Sequence, residues 1–131
     1  MRTEVIDYIN TLALGGFVLN QDLPFQESGT PLYLKNLKRI YVDIAAFENE
    51  PLIQALNGLT INNETTVIRV YFSCDAKQLP SNYETLISDL KTAKDITTIE
   101  GINRRQVVVS TEITADVLVT TLEYRFTKLS T

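Results

Sequence analysis

The run from Val67 to Glu84 constrains this chain most. It reads as a strand, a short polar turn and the capped start of a helix. From Thr65 to Cys74, Ile68, Val70, Phe72 and Cys74 alternate with Val67, Arg69, Tyr71 and Ser73. That period of two sends alternate side chains to opposite faces of a sheet. Asp75 to Pro80 then supplies turn formers and breakers. Ser81-Asn82-Tyr83-Glu84 has capping-box spacing, which predicts Ser81 as N-cap with Glu84 reaching back to its amide. Tyr83, Leu86, Ile87, Leu90 and Ala93 follow at helical spacing. Such a stripe must be buried, and the preceding strand implies a sheet for it to lie on.

The flanking segments fit that layer. Val5, Ile6, Ile9, Leu12 and Ala13 predict a helix over residues 3 to 14, with Thr3 as its cap and Gly15-Gly16 as its stop. Phe17-Val18-Leu19 reads as a short strand. The stretch 16–36 that contains it is otherwise rich in turn formers, with Leu23 and Phe25 flanking Pro24 as apolar anchors. A loop of that length is either folded onto its own domain or an arm that docks on a neighbour. Leu37 to Phe47 alternates as a strand. Pro51 to Gly58 reads as one or two helical turns, and Asn62-Asn63-Glu64 as a turn. Gln106 to Thr114 and Val117 to Leu129 predict a terminal hairpin joined near Ala115-Asp116. Apolar positions occur on both faces of these strands, which points to coverage of some faces by another subunit. The expected fold is a single α+β domain over 1–131. Its mostly antiparallel sheet has about four main strands, with two helices packed on one face.

Composition narrows the functional classes. A chain of 131 residues with 44% hydrophobic content can bury a core without metals or disulfides. The net charge of −4 argues against a general nucleic-acid binder, which needs a basic footprint. It does not exclude a protein that lets DNA slide past. The lone Cys74 cannot form an internal disulfide, and no apolar run approaches membrane-spanning length. These features read as a soluble intracellular protein with no membrane contact.

Chemistry is sparse. The chain has no His and no Trp, and no zinc spacing, Walker loop, dinucleotide fingerprint or Ser-His-Asp set. Cys74 falls on the apolar face of its strand and reads as core. Asp43 and Asp75 invite a metal reading, but Asp75 opens a turn where Asp is favoured anyway. Lys91 and Lys94 suit the end of a helix. The basic clusters Lys35, Lys38, Arg39 and Arg104, Arg105 are either solvated faces or contacts to an acidic partner. Assembly or binding is thus expected rather than catalysis, with no cofactor and no metal.

The order of segments resembles the tail terminator proteins of tailed bacteriophages over nearly the whole chain. At residue level the resemblance rests on Leu37 to Asp43, on Val70 to Lys77 leading into Ser81 to Leu86, and on Leu122 to Phe126. It implies a structural virion protein, not an enzyme, built in the host cytoplasm and located in the tail or neck. Such proteins form a ring, commonly a homo-hexamer, at the head-proximal end of the tail tube. The ring stops tube polymerisation and presents a surface to the connector or head-completion protein. DNA passes through its lumen without sequence-specific binding. On this reading Leu23 and Phe25 anchor the arm, and Lys35, Lys38, Arg39, Arg104 and Arg105 make charged contacts. The segment 51–58 is a departure from the family's core. A head-completion protein, a tube subunit and a non-viral α+β binding module are the rival readings.

Overall fold

The computed structural model describes residues 1–20, 39–54, 58 and 60–130. Its elements are α1 (Arg2–Asn10), β1 (Val18–Asn20), β2 (Arg39–Gln54), β3 (Thr60–Asp75), α2 (Tyr83–Lys91), a 3-10 turn (Thr92–Asp95), β4 (Arg104–Thr114) and β5 (Val117–Ser130). The strands form one five-stranded sheet in the order β1-β2-β3-β5-β4. Every pairing is antiparallel except β1 with β2, which is parallel over Val18–Asn20 and Arg39–Tyr41. The fold is therefore α+β, with five strands rather than four. The fifth is the short strand expected near Val18.

The helices lie on one face. Val5 and Ile9 of α1 and Leu86, Ile87 and Leu90 of α2 join Ile40, Val42, Ile68, Val70, Phe72, Leu122, Tyr124 and Phe126 in a single core. Each helix has only 9 residues, too short to persist alone in water, so packing holds it. Phe72 sits edge-on to Phe17 at 5.5 Å and to Tyr83 at 6.0 Å. The buried Tyr124 hydroxyl donates to Leu90 O at 2.6 Å, tying the sheet to α2.

Three expectations around the sheet and α2 are corrected. Residues 51–54 belong to β2, not to a helix: Pro51 lies opposite Asn62, next to an irregularity between Pro51 and Ile53. A proline has no N–H for a ladder and survives in a sheet at an edge or bulge, and both conditions hold here. Asn62-Asn63-Glu64 is not a turn, because β3 is paired there with β2 on one side and β5 on the other. Two ladders outweigh local turn preference. The capping box does not form: α2 starts one residue later, with Asn82 as N-cap and no side-chain cap bond.

The Asn82 amide instead donates to Leu14 O at 3.1 Å, holding the exit of α1 against the entry of α2. Gly15, at φ +60, sits beneath that amide, and a Cβ there would come 2.2 Å from Asn82 Nδ2. α1 itself ends at Asn10, short of the glycines, and its N-cap position is Met1 rather than Thr3, with no side-chain cap bond. The terminal ammonium pairs with Glu4 at 2.9 Å, which lowers that carboxyl's pKa.

Candidate functional site

β2 and β3 are each 16 residues long, beyond the usual range for strands in globular proteins. Only one end of this ribbon lies under the helices. The other end projects, and along it Phe47 is 76% exposed and Leu52 46% exposed. Leu129 on the neighbouring β5 is 55% exposed. The register explains why Phe47 is uncovered. It lies opposite Thr66, which lies opposite Phe126, at the far margin of the helix-covered face.

No described element packs on the second face of the sheet. Its character changes across its width. Tyr41 and Ser73 are buried along β2 and β3, whereas Val108, Ser110 and Glu112 on β4 are exposed. One cross-strand row runs Asp43, Arg69, Glu123, Val108. Arg69 donates from Nε at 3.0 Å and from Nη2 at 2.9 Å to the same Glu123 oxygen. Glu123 lies 3.6 Å from Arg125, and Arg125 pairs in turn with Glu48. Four alternating charges thus cross three strands, and Arg125 lies opposite the buried Val67. Partly solvated pairs of this kind add little stability each. Their effect is to leave no uninterrupted basic strip on this face.

Both sheet edges are open among the described residues. β4 pairs only with β5. β2 pairs with β1 as far as Tyr41 and beyond it only with β3. Natural edges are usually guarded by Lys, Pro or inward charges. The β4 edge has none of these along Val107-Val108-Val109, and Val108 and Ile113 are 55% and 65% exposed.

The expected site residues separate into three groups. Leu23, Phe25, Lys35 and Lys38 lie outside the described residues. Arg39 is half-buried at the start of β2, opposite Val18, and Arg104 is exposed at the start of β4 on the helix-free face. Arg105 is turned inward. Its Nη1 donates to Lys94 O at 3.0 Å and Ile96 O at 2.8 Å, and its Nη2 to Ile99 O at 2.7 Å. It clamps the connector that follows α2, so its guanidinium is already engaged within the subunit.

Groups that invited chemistry are likewise engaged. The Asp75 carboxylate accepts the Lys77 amide at 3.0 Å, an Asx-type turn. Burial, helped by the nearby Asp75 charge, pushes the Cys74 thiol above its ordinary pKa, which disfavours the reactive thiolate. Among the described residues no cluster of His, Cys, Asp or Glu could hold a metal. No described helix is long and apolar enough to cross a membrane. The features missed by sequence reasoning are Phe47 and the Glu48–Arg125–Glu123–Arg69 chain. The charge chain had a readable signal, since Glu123 and Arg125 alternate with apolar neighbours in Leu122-Glu123-Tyr124-Arg125-Phe126. No protein-family model matches the chain, and a search of curated proteins returns no match.

Proposed function

We propose that this protein is a structural component of a phage virion. In this reading copies close into a ring, a homo-hexamer by resemblance to tail terminators. The ring caps the head-proximal end of the tail tube, stops its growth and joins it to the connector or head-completion protein. One observation carries the reading: among the described residues, a sheet is covered by helices on one face, uncovered on the other and open at both edges. Such a subunit is suited to a heterologous head-to-tail ring, in which two different surfaces of one chain meet. A ring with the helices outward would line its lumen with the second face. There Glu48 and Glu123 alternate with Arg69 and Arg125. Interleaved carboxylates keep phosphates from being gripped, which suits DNA in transit.

Termination adds a directional demand: one ring face must fit the tube end and the other must refuse further tube subunits. The tip of the projecting ribbon at Leu52, 46% exposed, is available for one of those contacts. The test is native mass by light scattering at several concentrations, with electron microscopy, alone and with purified tail tube protein. Closed rings that shorten tubes, or sit at one tube end, are expected. Open-ended cylinders formed by this chain alone would make it a tube subunit. A monomer that ignores tube ends would defeat the reading.

A further inference from the structure

We propose that the outer edge of β4 pairs with the outer edge of β2 in the next copy, so that the sheet runs unbroken between subunits. This rests on the ring reading and names the surface that closes the ring. Its first support is strand direction. β2 is antiparallel to β3, β3 to β5, and β5 to β4. Three reversals leave β2 and β4 running in opposite senses within one subunit. A rotation about a ring axis preserves each strand's sense along that axis. Copies arranged edge to edge around a ring therefore bring β4 against a neighbouring β2 in antiparallel orientation, the easier pairing.

The second support is the length of edge that the described residues leave unpaired. On β2, Arg2 Nε already donates to Val42 O at 3.0 Å, and Pro51 has no N–H to offer. The stretch between them, residues 43–50, is the usable ladder. It starts two residues beyond Tyr41, where pairing with β1 ends.

The third support is complementarity. Side chains of paired strands must keep to matching faces, because a one-residue slip inverts them all. Arg104 and Glu50 both belong to the helix-free face. Setting Arg104 opposite Glu50 brings Gln106 opposite Glu48, Val107 opposite Phe47 and Val108 opposite Ala46. The existing irregularity between Ile44 and Ala46 takes up one residue, after which Val109 meets Ile44 and Ser110 meets Asp43. Opposite charges meet at one end and a hydroxyl meets a carboxylate at the other; between them the polar pairs Arg105/Asn49 and Gln106/Glu48 are followed by three apolar pairs. Phe47, Val108 and Ile44, exposed at 76%, 55% and 40% in the single chain, each gain an apolar cross-strand neighbour and lose part of their exposure. The occupant of each edge is a second copy of this chain.

The experiment uses full-length variants Arg104→Cys and Glu50→Cys. Both positions are exposed and neither is ion-paired with a described residue. Native Cys74 is buried, so the parent chain serves as the blank. Directly opposed residues place their Cβ atoms about 4.5–5.5 Å apart, close to what a disulfide spans. Under mild oxidation a mixture of the two variants should give cross-linked dimers, each variant alone should give none, and the double variant should give a ladder ending at the ring number. Arg104→Glu or Glu50→Arg alone should raise the half-assembly concentration about fivefold, and the two together should restore it. Cross-linking of Arg104→Cys with itself would show a two-fold β4-to-β4 pair and overturn the proposal. Intact rings without cross-links would overturn it while sparing the ring reading. A wild-type chain that never assembles, even on tube ends, would overturn both.

Discussion

The two ends of the β2–β3 ribbon follow the same alternation yet differ in what covers them. At the helix-covered end Ile40, Ile68, Val70 and Phe72 are fully buried. At the projecting end Phe47 stands in water, and residues 48–50 beside it are exposed. The helices explain the difference. Nine residues of α-helix span roughly 14 Å, whereas a 16-residue strand spans roughly 50 Å. Two short helices cannot cover such a ribbon. Among the described residues the ribbon outruns the core that the helices build on it.

The sharpest way to break this comparison is to truncate one large side chain at each end. Phe72→Ala should cost about 3–5 kcal/mol, because it empties a site shared with Phe17 and Tyr83. Phe47→Ala should cost under about 0.5 kcal/mol in the monomer, as expected for a surface change. Urea titrations of both variants under conditions that keep the chain monomeric give the ratio. Comparable losses would mean that the projecting end has a core of its own.

The next effect tests how the covered end is closed. Arg105→Ala should destabilise by roughly 2–3 kcal/mol, since charge-assisted bonds to three carbonyls are lost together. Lys at this position should rescue little, because one ammonium cannot reproduce the planar fork. The neighbouring Arg104→Ala should be near neutral in the monomer. Thermal unfolding of the three variants separates clamp from surface. Equal effects at 104 and 105 would contradict the inward turn of Arg105.

That adjacent pair shows what was legible in the sequence. The alternation of β4 already implies that Arg104 and Arg105 point to opposite faces, yet as a basic cluster they read as one unit. Where period and position agree, as in Ile68 to Cys74 and in the stripe of α2, strand, helix and core followed directly from the residues. Where a local signal competed with a distant partner, the partner won. Pro51 and Gly58 resemble helix punctuation, but the ladder with β3 kept 51–54 extended. Ser81 suits a cap, but the Leu14 carbonyl drew Asn82 away. The candidate site was the least legible part. An edge is a property of strand order, which no window of sequence contains.

A smaller effect is tied to pH. Burial pushes the Tyr124 phenol well above its ordinary value, with Tyr8 nearby adding to the shift. The folded chain therefore keeps this proton when the unfolded chain, with a phenol near pH ~10, gives it up. The stability it contributes is intact below that pH and is lost as pH rises above it. The buried Cys74 thiol acts with the same sign from about one to two pH units lower. Tyr124→Phe should cost roughly 1 kcal/mol at neutral pH through the lost bond to Leu90, and should flatten the alkaline decline. Stability measured from pH 7 to 11 checks this, and an unchanged slope would contradict the burial of the phenol.

The smallest effect on the single chain should be the largest on the assembly. Phe47→Ser removes an aromatic ring that the monomer leaves 76% exposed, so monomer stability should move by less than about 0.5 kcal/mol. If the projecting ribbon is a partner surface, the same change should remove apolar burial at every contact between copies. Each buried aromatic side chain is worth about 1.5–3 kcal/mol relative to exposure, and a ring repeats the loss at each interface. Assembly should then require at least tenfold more protein, with far-UV circular dichroism and monomer melting unchanged. Should the variant assemble like the parent, Phe47 would be an ordinary exposed residue. The ribbon's length would then have to be explained by a contact elsewhere along Leu52 and Leu129.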